Sequence, residues 1–227
     1  MTTLPAFPRE TLDFLSELGE NNTREWFDAN RARYERDLVA PAKTFVTDVA
    51  PLLERLAPGI SAEPRVLGSI FRINRDTRFS ADKRPYKDHL DFWFWHGQRS
   101  SADSGLFLRL TPDELIVGAG AHDLQKERLQ RFREAVADPA AGPELAGIVA
   151  DLDRAEVGVA GKSLTRPPAG FAAAPEAASL LLHRALFAAV TEPSDVATGD
   201  DLGDHLERAW TPLAPLHLWL VEHVQDA

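Results

Sequence analysis

Residues 68–95 read GSIFRINRDTRFSADKRPYKDHLDFWFW. The two ends of this stretch follow β-periodicity and the middle does not. Val66–Ile73 and Asp88–Trp95 carry the branched and aromatic residues of strands, while Asn74–Lys87 is polar and punctuated like a loop. Phe92, Trp93, Phe94 and Trp95 are consecutive, which predicts a strand covered on both faces. Charge sets the stretch apart as well. From Arg65 through Asp88, Arg65, Arg72, Arg75, Arg78, Lys83, Arg84 and Lys87 stand against Asp76, Asp82 and Asp88, a local excess of four positive charges in a chain of formal net charge -10. Such a concentration repels itself unless anions or carboxylates face it. The stretch therefore marks a site as well as a sheet.

Upstream, the periodicity is helical. Pro8 suits a first turn, Leu12, Leu15 and Leu18 share a face, and Gly19 can close the helix. Asn22, with Glu25 three residues on, has the form of a capping box for a second helix through Trp26, Phe27, Tyr34 and Leu38. Pro41 is expected to break or kink it. Phe45, Val49, Leu52, Leu53 and Leu56 then mark a third helix, stopped at Pro58-Gly59.

Downstream, Leu106–Leu110 and Leu115–Val117 flank Thr111-Pro112-Asp113-Glu114, a hairpin signal, and an antiparallel sheet of about four strands follows. Leu124, Leu129, Phe132 and Val136 predict a helix, and 143–153 another. Val157–Leu164 and Arg184–Val190 read as further strands, and Leu202 to Val224 as closing helices interrupted at Pro212. Helices, then strands, then a mixture gives an α+β fold: a central, mainly antiparallel β-sheet flanked by N-terminal and C-terminal helices. At this length the chain is expected to form one α+β domain over 1–227, with a helical part to about 60, a sheet core over about 65–120 and a mixed C-terminal part.

Bulk composition narrows the function classes. A sequence pI near 5.2 argues against broad duplex nucleic-acid binding. Cysteine is absent, so thiolate catalysis, disulfides and thiolate metal sites do not arise. The first residues show neither a basic nor an apolar leader region, and no apolar run reaches membrane-spanning length; the expected location is cytoplasmic.

The basic loop supports two readings that do not exclude each other. In one, Arg72, Arg75, Arg78, Lys83 and Lys87 converge on a phosphate or carboxylate, since guanidinium forks match two oxygens and lysine adds point charge. Asp76 or Asp82 would then act as acid or base, with Tyr86 donating a hydrogen bond. In the other, the arginines and aspartates are a structural network tying the loop to the acidic helical face of Glu25, Asp28 and Glu35. A small anionic ligand is the expected partner, in an enzyme on a phosphorylated substrate or in a non-catalytic domain docking an acidic protein or nucleic-acid end. No cofactor and no metal are predicted.

Several short motifs do not hold up. Gly161-Lys162-Ser163 resembles the end of a phosphate-binding loop, but Glu156 stands where its first glycine belongs. Gly118-Ala119-Gly120 lacks the third dinucleotide glycine, Asp123 being there; a tight strand-to-helix turn is expected instead, with a helix start near His122 as a weaker anion site. His89 and Asp91 share a strand face, but two ligands do not make a metal site. The aromatic run is expected to pack in the core, the alternative being an adenine-like ring stacked on Trp93 or Trp95.

Two segments, NNTREWFDANRARYERDLVAPAKTFV and SIFRINRDTRFSADKRPYK, with VGAGAH and KSLTRPPAGF downstream, are similar to the bacterial family catalogued as domain of unknown function 2461. The resemblance rests on Asn22, Trp26, Phe27, Tyr34 and Pro41, and on Arg72, Arg75, Asp76, Arg78, Phe79, Asp82, Lys83, Pro85, Tyr86 and Lys87. It implies an α+β domain of a cytoplasmic bacterial protein and supplies no catalytic assignment.

Overall fold

A computed structural model describes residues 4–78, 80–100 and 104–225. Five strands, β1 (Leu90–Trp95), β2 (Gly105–Leu110), β3 (Glu114–Ala121), β4 (Val159–Lys162) and β5 (His183–Pro193), form one sheet in the order β1-β2-β3-β5-β4. Every pairing is antiparallel. The Thr111 hydroxyl accepts hydrogen bonds from the Asp113 and Glu114 amides and closes the β2–β3 hairpin.

Alternation decides what each face of the sheet does. Leu90, Phe92 and Phe94 of β1, Leu106 and Leu108 of β2 and Val117 of β3 are buried on one face. That face rests on α4 (Ala40–Leu56) and α7 (Leu202–His223): the Phe92 and Phe45 rings lie 4.8 Å apart, and Trp210 meets Phe94 edge-on at 6.0 Å. Helix α1 (Arg9–Glu20) lies at the N-terminal side of this layer, and α5 (Lys126–Ala137) and α6 (Ala141–Arg154) pack beside α7. On the opposite face Asp91, Trp93, Phe107, Ile116, Phe187 and Ala189 are only partly buried. The aromatic run is covered on one face, and on the second, predicted to be closed, Trp95 is buried while Trp93 borders a cavity.

Several local expectations change. Val66–Ile73 is a turn held by isolated bridges, with Leu67 at a φ of 67° and the Leu67 amide donating to the Ile70 carbonyl. A β-carbon at Gly68 would come 2.7 Å from Arg65 Cγ, so the glycine is what lets the chain fold back there. The N-cap of α2 (Arg24–Ala29) is Thr23, whose hydroxyl accepts from the Trp26 amide. Asn22 is released from capping, and its amide exchanges two hydrogen bonds with the Tyr86 backbone. After the short α3 (Arg31–Arg33), a π-helical segment at Tyr34–Val39 leads straight into α4. Pro41 sits in the first turn of α4, where a missing N–H is tolerated, so it neither breaks nor kinks the path. Likewise α7 runs unbroken through Pro212 and Pro215. No helix among the described residues is long and apolar enough to cross a membrane.

Candidate ligand site on the open face of the sheet

Register places three rows of side chains across the open face. The first joins Asp91, Arg109 and Ile116; the second joins Trp93, Phe107, Gly118 and Ala189; the third joins Trp95, Gly105, Gly120 and Phe187. In the middle row the large Trp93 and Phe107 of β1 and β2 give way to Gly118 and Ala189 on β3 and β5. The result is a cavity of about 620 Å³, a size that suits a small organic ligand. Gly105 and Gly118 are needed for its walls. A β-carbon at Gly105 would lie 1.8 Å from Trp93 Nε1, and one at Gly118 would lie 2.2 Å from Phe107 Cζ. Arg99 lies 5.6 Å from the Trp93 ring centre and 5.5 Å from those of Phe71 and Trp95, a cation–π clamp over the β1 aromatics.

One end of the cavity is charged. Asp91 accepts from Arg109 Nε at 2.6 Å and from Lys87 Nζ at 2.9 Å, and His89 Nε2 lies 3.4 Å away. Burial pushes the Asp91 carboxyl up, but His89, Arg109 and Lys87 outweigh it and hold the group below the usual carboxylate range. Arg109 spends only its Nε on this pair. Among the described residues its terminal nitrogens meet no acceptor, its side chain is 46% exposed, and the residue lines the cavity. At the other end stand His122 and Asp123. The His122 ring centre is 4.1 Å from that of Phe187 and 5.0 Å from that of Phe107. Crowding by protein lowers its pKa, with the Arg109 charge adding to the effect, so the imidazole is neutral at pH 7.

Of the five cations expected to bind ligand, Lys87 lines this cavity. The other four do not line it. Arg75 pairs with Asp82 at 2.6 Å, Arg78 pairs with Asp76 at 2.6 Å, Lys83 donates to the Thr77 carbonyl, and Arg72 is exposed. The Arg78 pair holds Asp76 down to about 2, and Arg84 with Arg75 holds Asp82 lower still, so both are bare anions at neutral pH. Tyr86 is buried, its ring stacked at 4.1 Å on Phe27, and burial raises its phenol pKa. Phe79, one of the resemblance positions, lies outside the described residues.

No motif in the sequence singles out Arg109, Phe107, Phe187 or Gly105. One signal was available: Arg109 is the lone charge inside Gly105–Leu110, an otherwise apolar strand. The Gly118 and Gly120 pair, expected in a turn, lies within β3, and α5 starts only at Lys126, so His122 is not at a helix start.

A second polar constellation lies in the core. The Ser104 hydroxyl is 2.8 Å from His217 Nδ1, His217 Nε2 is 2.9 Å from His96 Nδ1, and His96 Nε2 is 3.0 Å from the Pro58 carbonyl. That carbonyl can only accept, which fixes every proton: His96 donates to Pro58, His217 to His96, and Ser104 to His217. Ser104 is 2% exposed and His217 fully buried, so the chain ties α7 to the sheet and does not face a ligand. Among the described residues no group of three or more His, Asp or Glu side chains could hold a metal ion.

No curated protein matches the chain. A family model described as a conserved hypothetical protein, DUF2461, matches residues 10–219, a span that holds the whole sheet, both ends of the cavity and the basic loop, and the chain belongs to that family.

Proposed function

We propose that this protein binds a small anionic ligand, phosphate- or carboxylate-bearing, in the open-face cavity. The observation that carries the reading is the trio Lys87–Asp91–Arg109. It holds two cations against one carboxylate, keeps the Arg109 fork unspent and sits at the edge of a concave apolar surface. A planar fork at the rim of a low-dielectric cavity binds an oxyanion more strongly than a cation on a flat surface does. Concavity favours a small ligand over the docking of an acidic protein or nucleic-acid end.

The basic loop contributes Lys87 to this site. Arg72, Arg75, Arg78 and Lys83 lie outside the cavity lining and would act on an anion only through the long-range potential of the loop. A second reading of the loop has an observation of its own: Arg75–Asp82, Arg78–Asp76 and Arg84–Asp82 are close ion pairs, as an architectural network requires.

A thermal-shift series in phosphate and in phosphorylated small molecules tests the proposal. A ligand at about a hundredfold excess over its Kd stabilises the native state by about 2.7 kcal/mol. Arg109→Gln should abolish that shift and Arg78→Ala should leave it. A shift that disappears with Arg78→Ala and survives Arg109→Gln would move the site to the loop.

A further inference from the structure

Charge is not spread evenly around the cavity. Lys87 and Arg109 stand with Asp91 at the β1–β2 end, while Asp123 stands with neutral His122 beyond β3. Formally the two positive and two negative groups cancel, so the cavity has polarity and no net charge. Asp123 accepts from Gln125 through Oδ2 at 2.7 Å, which leaves Oδ1 able to accept from a ligand. Between these ends Phe107 and Phe187 are apolar walls, and Gly120 and Ala189 are the small residues that line the cavity between them. Ile116, opposite Arg109, and Gly120, opposite Gly105, are four residues apart on β3. At about 3.4 Å per residue that is about 14 Å of strand between the Arg109 position and the rim where His122 and Asp123 follow β3.

From this arrangement we infer that the ligand is an elongated aromatic oxyanion with a hydrogen-bond donor on its ring, of the size and polarity of a nucleoside monophosphate. The inference rests on the anion-binding reading above and adds the ring and its orientation. The oxyanion meets the Arg109 fork and Lys87. The ring rests against the contiguous surface of Phe107, His122 and Phe187, where aromatic contact is indifferent to ring identity. An N–H on the far edge of the ring donates to Asp123. A compact anion would leave the aromatic walls and Asp123 unused. A neutral ring would leave Arg109 and Lys87 without their anion.

Calorimetric titration of the full-length protein with adenosine monophosphate, adenosine and ribose 5-phosphate separates the parts. The monophosphate should bind about tenfold or more tighter than either fragment. Arg109→Gln should weaken the monophosphate to the level of adenosine and leave adenosine unchanged. Asp123→Asn should weaken the monophosphate and adenosine alike and leave ribose 5-phosphate unchanged. Ribose 5-phosphate binding as tightly as the monophosphate would overturn the aromatic assignment while the anion site stands. Adenosine binding as tightly as the monophosphate, unaffected by Arg109→Gln, would overturn the anion site. Silence from all three, with circular dichroism showing a folded protein, would overturn both.

Discussion

The Phe107 ring occupies the space that a side chain at position 118 would fill, its Cζ lying 2.2 Å from where a β-carbon on Gly118 would sit. Gly118 lies directly opposite Phe107 in the β2–β3 register, so one strand supplies a ring and the next gives up its side chain to seat it. Gly118→Ala should force Phe107 off the sheet and into the cavity. The β-propensity gain of alanine is outweighed by overpacking, for a net loss of about 1 kcal/mol. Urea denaturation checks the loss, and Phe107→Leu in the same chain should recover part of it.

Asp91 is the shared acceptor of Lys87 and Arg109, and it is 12% exposed. Asp91→Ala should cost about 1–3 kcal/mol, below the range for a fully buried pair because its partners reach water. The folded pKa is depressed, so the contribution is complete above about pH 4 and is lost as pH falls through the lower folded value. Acid denaturation of Asp91→Asn should show a shallower acid limb than the parent protein. Asp76 and Asp82, also depressed, keep the limb from vanishing.

His217 gives a second pH window. Burial, with a smaller contribution from His96, drops its pKa to about 3 from an ordinary 6.5. The unfolded chain therefore takes up a proton before the native protein does. Stability is complete above pH 6.5 and falls as pH drops toward about 3, at up to about 1.4 kcal/mol per pH unit. Urea midpoints at pH 7.5 and pH 5 should differ in the parent protein and converge in His217→Gln. His122 and His183, lowered by burial as well, leave a residual slope.

Asn22 fastens the basic loop to the N-terminal helices through both its amide atoms and the Tyr86 backbone. Asn22→Ala leaves an N–H and a carbonyl without partners and should cost about 1–3 kcal/mol. Hydrogen exchange should speed up at the Tyr86 amide while the Phe92 amide stays protected.

What the sequence disclosed follows from how local each feature is. The α+β class, the 106–117 hairpin and the strands expected at 157–164 and 184–190 rest on periodicity within a few residues, and all appear in the structure, the last two as Val159–Lys162 and His183–Pro193. Val66–Ile73 looked like a strand because its side chains fit one, but Gly68 allows a turn that its neighbours complete. Pro41 and Pro212 looked like breaks because the rule concerns the helix interior. Pro41 sits in a first turn beside a π-helical segment, and Pro212 is carried by the buried face of α7. The candidate site was half visible. Lys87 lay within a conspicuous basic run, whereas Arg109, Phe187 and Gly118 converge only once the register β1-β2-β3-β5 is known. The Ser104–His217–His96 chain spans more than a hundred residues, and no spacing could announce it.

The measurement that separates the open-face cavity from the loop is amide and indole chemical-shift mapping by NMR as adenosine monophosphate is titrated in. The cavity site predicts shifts at the Trp93 indole N–H and at the amides of Arg109, Gly118, Gly120 and Ala189, with Arg78 and Lys83 little changed. Shifts confined to residues 74–85, with Gly118 and Ala189 unmoved, would contradict it.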